Sequence, residues 1–227
     1  AFHVPGVVGV RNPYDPARIA GGSSSGSAAA LGARMAPAAL GTDTGGSMRI
    51  PPALNGCASL RPSAKRYPAA GIAPIASSRD TAGPMALCMA DVALLDALVT
   101  GEHALPPVDL KSLRLGVVPD FWANMDTEVA TVAADVQRRL KTAGVTFVEV
   151  ADKEIMALNN AVGFPVVFHE AYSDMVDYLA EQGPGISIEQ LRAGIASPDV
   201  AGIYDSFVLP RKAPDARGNI VDSAPLY

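Results

Sequence analysis

The sequence predicts an α/β layer structure, and three observations carry that reading. The stretch "LRLGVVPDF" is a strand candidate. It is followed at once by a helical repeat over Thr127 to Ala143, and then by "VTFVEV", rich in the β-branched residues that favour strands. The chain of 227 residues is 49% apolar and 18% charged, a globular balance with enough apolar mass for a sizeable core.

Taken in order, residues 1–22 read as an extended approach, because Pro5, Pro13 and Pro16 forbid a regular helix. The run "GGSSSGSAAALGARM" opens like a flexible linker, yet Ala28 to Met35 is a strong helix former. A Gly/Ser turn entering a helix gathers unpaired N–H groups. "PAALGTD" then predicts a short buried strand. Val129, Val132, Ala133, Val136, Leu140 and Ala143 share one face of the next helix, with Asp126 as N-cap and Gly144 as stop. A long helix is predicted over Asn159 to Glu181 and a shorter one over Ser187 to Ala196. The tail "LPRKAPDARGNIVDSAPLY", broken by Pro and Gly, reads as a loop or a severed connection.

Charge and composition exclude some functions. A net charge of −5, with no run of Lys or Arg longer than two, argues against nucleic acid or an anionic membrane as partner. The most apolar segment, "PMALCMADVALLDALV", is broken by Asp91 and Asp96, so no membrane span is expected. Cys57 and Cys88 lack metal-type spacing and read as buried free thiols of a cytoplasmic protein. No metal or cofactor is expected.

The chemistry concentrates in "GTDTGGSMRIPP". Ser47 follows two glycines, which let the N–H groups of Thr44, Gly45, Gly46 and Ser47 turn toward one point, an oxyanion nest. Asp43 and Arg49 flank the turn with opposite charge and can hold it rigid. A plain glycine turn before "MRIPPAL" is the alternative. A serine nucleophile needs a base. His3, His103 and His169 stand in no recognisable arrangement with Ser47, and His169 reads as a satisfied helical histidine. A Lys, a carboxylate or another serine is left. Gly22-Ser23-Ser24-Ser25-Gly26 also spells the nucleophile-elbow pattern, which would make Ser24 the nucleophile, but no strand precedes it.

"GGSSSGSAAA" followed by "GTDTGGSMRIPPALNG" resembles the amidase signature family of serine hydrolases. The likeness continues through "RPSAKRYPAAGIAPIASSRDTAGPM" into "ADVALLDALVTG". The resemblance implies an amidase-signature-type layered fold, a mixed β-sheet flanked by helices. It also implies a Ser–cis-Ser–Lys triad. In that scheme Ser47 forms the acyl-enzyme and Ser23, on a non-proline cis peptide, bridges to the base. Ser24 orients the site; Thr44, Gly45, Gly46 and Ser47 form the oxyanion hole; Asp43 and Arg49 support it.

The family's Lys lies upstream of the cis-Ser, whereas Lys65, Lys111, Lys141, Lys153 and Lys212 all lie downstream. Lys65, in a turn, reads as a surface charge. The expectation is therefore an incomplete fold. It would be the middle of one amidase domain, with a catalytic-loop core over about 1–105 and a more variable substrate-side α/β region over about 106–227. "ASPDVAGIYDSFVLPRKAPDARGNIVDSAPLY" resembles aryl-alkyl amide hydrolases of the mandelamide and indoleacetamide type. The implied partner is a small amide, with Trp122, Phe164, Phe168, Tyr172 and Tyr204 as candidate pocket residues, core packing being the more common role of each. The reading leaves room for a homodimer. An amidotransferase subunit and a non-catalytic amide- or carboxylate-binding module are the alternatives.

Overall fold

The computed structural model describes residues 6–102, 107–150, 154–183 and 185–227. His3, His103, Pro5 and Lys153 lie outside them. The chain divides into two compact units, Ala1–Ala104 with Asn160–Tyr227, and Leu105–Asn159. The substrate-side region expected over 106–227 is thus shared between both.

In the larger unit, α1 (Ser25–Gly32) leads to β1 (Ala38–Asp43) and then to α2 (Ile50–Leu54). The Ala-rich run forms α1 as its propensity dictates. Ser24 stands at its N-cap position without capping it, because its hydroxyl is committed to β1. Pro51 stands in the first turn of α2, where a missing N–H costs nothing. Two strands follow, β2 (Ala58–Ser59) and β3 (Thr81–Ala86), neither anticipated from the sequence. They complete an antiparallel sheet in the order β1-β3-β2, with Gly41 opposite Gly83. Leu31, Met48 and Met85 are fully buried in the core between α1 and this sheet.

The two glycines are a packing requirement. A Cβ on Gly83 would overlap the backbone oxygen of Leu60 and come within 2.5 Å of Met48 Cε. The carbonyl is held, since Leu60 N also donates to Pro84 O at 3.1 Å. Gly83→Ala is therefore expected to cost about 1–3 kcal/mol. Urea unfolding should show this as a lower midpoint at unchanged slope.

The segment "PMALCMADVALLDALV" supplies the end of β3 and the helix α3 (Met89–Thr100). Asp96 interrupts its apolar run for a reason. It is buried against Arg66, whose Nη2 lies 2.7 Å away, and accepts the Tyr67 hydroxyl at 2.9 Å. Hydrogen bonding to Arg66 holds its carboxyl below the usual range against the opposing effect of burial. Burial first, and Asp96 second, push the Tyr67 phenol up to about 12.

The smaller unit carries β4 (Arg114–Val117), α4 (Thr127–Thr142) and β5 (Thr146–Glu149), with β4 and β5 parallel. This is the strand-helix-strand order the sequence predicts. Asp126 occupies the N-cap position of α4 without a side-chain cap bond, and Gly144 follows at positive φ. The predicted apolar face exists, but Val129, Val132 and Val136 remain largely exposed.

The chain returns along α5 (Ile155–Gln182), which starts before the predicted Asn159 and carries a buried proline, Pro165. A capping box between Ser187 and Gln190 starts α6 (Ile188–Ala193), and Gly194 stops it short of Ala196. Then come α7 (Pro198–Ile203) and a π-helical turn over Tyr204–Val208. The tail read as a loop contains a hairpin, β6 (Lys212–Pro214) with β7 (Ile220–Asp222). Asp215 makes that hairpin: its carboxylate accepts the N–H groups of Arg217 and Asn219 at 2.8 and 2.9 Å. Ala171, Leu179, Ile188 and Val208 form a second core cluster within the larger unit.

The expected α/β architecture is present, with parallel and antiparallel pairing divided, among the described residues, over three small sheets. Among the described residues no helix is long and apolar enough to cross a membrane. Both cysteines are free, but the expectation that both are buried fails: Cys57 is half-buried and Cys88 is exposed at the start of α3.

Candidate active site

The loop between β1 and α2 is organised by a buried carboxylate. Asp43 ends β1 with its side chain fully enclosed, and five donors converge on it. Its Oδ1 accepts Gly46 N at 2.9 Å, Arg49 Nη2 at 3.1 Å and Arg61 Nε at 3.2 Å. Its Oδ2 accepts Arg49 Nε at 3.0 Å and Met48 N at 3.3 Å. Burial works to raise the Asp43 pKa, but the Arg49 fork and the two amides outweigh it, so the carboxyl titrates below its usual range. Asp43 in turn raises the Arg49 pKa. The glycine between them is required, because Gly46 has φ +124° and a Cβ there would approach Ile50 Cδ1 to 2.8 Å.

The same geometry alters the expected nest. Gly46 N–H turns back onto Asp43, which leaves Thr44, Gly45 and Ser47 as the N–H groups without an acceptor among the described residues. Ser47 is half-buried, and the next residue, Met48, is locked in the core.

The Gly/Ser run lies beside this loop. The Gly22–Ser23 peptide bond is cis. Ser24 N donates to Ser47 O at 3.1 Å, bringing the two serine-bearing segments together. The hydroxyls differ sharply in commitment. Ser24 Oγ donates to Thr42 O at 3.3 Å and accepts Thr42 N at 3.2 Å, and Ser25 Oγ donates to Gly21 O. Ser23 is exposed, and neither its hydroxyl nor that of Ser47 is hydrogen-bonded among the described residues. An elbow nucleophile at Ser24 therefore lacks both its strand and a free hydroxyl. Among the described residues the segment before it forms a single bridge, Arg11 with Ile19.

Two residues of the loop's support were missed in the sequence. Arg61 joins Asp43 to the carbonyl of Arg79 through an Nη2 bond of 2.8 Å. Asp80 accepts the Thr44 hydroxyl on one oxygen and the N–H groups of Ile75 and Ala76, at 2.7 and 2.9 Å, on the other. Their bonds to the loop span 18 residues for Arg61–Asp43 and 36 for Thr44–Asp80, and no local pattern marks them.

Thr42, Thr44 and Asp80 face a cleft of about 280 Å³. Its walls are the Ala69–Pro74 turn and the end of α5, with Asp174, Asp177, Tyr178 and Glu181. The aromatic residues expected to line a pocket are elsewhere. Phe164, Phe168 and Phe207 stack on one another, Tyr172 and Tyr204 pack on the second core cluster, and Trp122 belongs to the smaller unit. Tyr178 is the aromatic side chain that the cleft does contain. His169 is satisfied as expected, with Nδ1 3.0 Å from Ser223 Oγ and its ring stacked on Tyr227. Lys65 is exposed in its turn.

Comparison with known proteins adds an independent line. A family model described as Amidase matches residues 4–205. The chain is 45% identical to mandelamide hydrolase of Pseudomonas putida over all 227 of its residues, which are 45% of that protein. It is 42% identical to indoleacetamide hydrolase of Rhizobium radiobacter over 199 residues, 87% of the chain and 43% of that protein. Among solved structures, native peptide amidase from Stenotrophomonas maltophilia superposes with a TM-score of 0.71 at 26% identity, covering 86% of this chain and 46% of that one. The chain thus spans about half the length of the curated relatives it matches.

Proposed function

The chain belongs to the amidase family, and on that premise we propose that it carries the nucleophile, proton relay and oxyanion loop of a carboxamide hydrolase. Ser47 Oγ attacks the amide carbonyl while Ser23 takes its proton and passes its own to a neutral lysine outside these 227 residues. The N–H groups of Thr44, Gly45 and Ser47 receive the developing oxyanion. Collapse of the tetrahedral intermediate breaks the C–N bond, the proton returns to the leaving nitrogen, and ammonia departs. Water, deprotonated through the same relay, releases the acid from Ser47.

The observation that carries this reading is the pair of uncommitted hydroxyls, Ser23 and Ser47, on segments joined by the Ser24–Ser47 backbone bond. The substrate class we propose is a small aryl-alkyl amide, supported by likeness to mandelamide and indoleacetamide hydrolases. The cleft is lined by Thr44 of the loop but by neither Ser23 nor Ser47, and its carboxylates would disfavour an anionic group reaching into it on Coulombic grounds.

The test is fluorophosphonate labelling with peptide mapping, on this chain and on a form extended upstream. Label on Ser47 that requires the extension is the expected result. Label on Ser24 would establish an elbow hydrolase instead. Amide binding without acid release in both forms would establish a binding module.

A further inference from the structure

We propose that Asn55 is a positioning residue for the Ser23–Ser47 relay, an inference that rests on the acyl-transfer reading above. Asn55 is fully buried at the end of α2. Its Nδ2 donates to Ala20 O and to Pro51 O, each at 2.7 Å. Ala20 leads into the cis bond at Gly22–Ser23, and Pro51 stands in the helix that follows Ser47. One side chain therefore ties the approach to one serine to the exit from the other.

A second buried asparagine reinforces the tie. Asn12 Nδ2 donates to Leu54 O at 2.7 Å and to Ile19 O at 3.4 Å, while its Oδ1 accepts Tyr14 N at 2.9 Å. The helix α1 closes on the same point, because a Cβ at Gly32 would lie 2.8 Å from Asn55 O. At the other end of the frame, Ser24 N holds Ser47 O at 3.1 Å. The two serine-bearing segments are thus fastened on both sides of the reacting pair.

The chemistry of position 55 demands an amide. Two carbonyls need two N–H donors from one side chain, which leucine lacks and a carboxylate reverses in sign. Asn55 Oδ1 has no partner among the described residues, so the buried side chain is kept for its donors at a desolvation cost. Transfer between two hydroxyls needs their oxygens about 2.5–3.0 Å apart. A displacement near 1 Å at such a contact costs on the order of 100-fold in rate.

The test is a double-variant cycle read as the rate of fluorophosphonate labelling at Ser47 in the full-length enzyme, with melting temperature measured for each variant. Asn55→Leu is expected to slow labelling about 10- to 100-fold where Ser23 is present. In a Ser23→Ala background it should slow the remaining rate less than about twofold, because both changes act through one relay. Val208→Ala, in the second core cluster, should lower the melting temperature without slowing labelling.

If the two losses multiply, or if Val208→Ala slows labelling as much at equal destabilisation, Asn55 acts through general stability and the proposal is overturned while the Ser23 relay stands. If Ser23→Ala alone labels at the parent rate, the relay itself falls and the proposal with it. Should Asn55→Leu fail to fold, Asn12→Leu loosens the same frame at Leu54 and carries the cycle with a smaller expected loss.

Discussion

Replacing Ser47 with alanine is expected to abolish fluorophosphonate labelling and to lower amide hydrolysis at least about 10⁴-fold. Folding should survive, because the fold makes no use of this hydroxyl: it forms no hydrogen bond among the described residues, and Met48 rather than Ser47 anchors the loop in the core. The contrasting variant is Ser24→Ala. It removes the hydroxyl that both donates to and accepts from Thr42, so it should cost about 1–2 kcal/mol of stability. It should nonetheless keep labelling within about tenfold of the parent. The pair separates a reacting serine from a structural one standing in the same motif region. A reversed pattern, with Ser24 essential and Ser47 dispensable, would overturn the assignment.

What could be read in advance divides by range. α1, β1, β4, α4 and β5 follow from local propensity and period, and each lies close to its predicted place. The sequence marks the turn at Gly45-Gly46-Ser47 because glycine at positive φ is a local requirement, and Gly46 meets it. β3 was not legible. "TAGPMA" holds a glycine and a proline, which demote a strand in any local reading. In the sheet Gly83 instead serves close packing against Met48 and Leu60, both far away in sequence. Arg61, Asp80 and Asn55 escaped for the same reason, since each acts on a partner brought near only by the fold. Cys88 misled because apolar neighbours signal burial, whereas it stands in extended backbone at the N-cap position just before α3, where it is exposed. Of the candidate aromatic side chains, Phe168 stacks between Phe164 and Phe207, and Tyr172 and Tyr204 pack on the second core cluster, the packing alternative that an aromatic in a sequence always carries.

Asp43 carries the second large effect, on stability rather than on chemistry. Asp43→Ala strips the partners from Gly46 N, Met48 N and the Arg61 guanidinium, whose side chain is only 28% exposed. Arg49 is 55% exposed and can return to water, so its share is discounted for solvent screening. The expected loss is about 2–4 kcal/mol. Acid titration gives this loss a sign. The folded carboxyl titrates below the 3.8 of an unperturbed aspartate, so the unfolded chain takes up the proton first as pH falls. The stabilisation is fully present above that value and disappears as pH drops through the lower, folded pKa. Urea unfolding of the parent and of Asp43→Asn should therefore show a stability gap that is widest near neutrality and shrinks with acidification below 3.8. A gap that stays constant with pH would mean that the neutral hydrogen bonds, not the charge, hold the loop. The charge is needed where it stands because two guanidinia and two amides converge on one enclosed side chain, and a neutral acceptor would leave the cations unbalanced. The loop that carries Ser47 is thus held from within by an anion, while the N–H groups of Thr44, Gly45 and Ser47 keep no acceptor among the described residues, as the proposed oxyanion role requires.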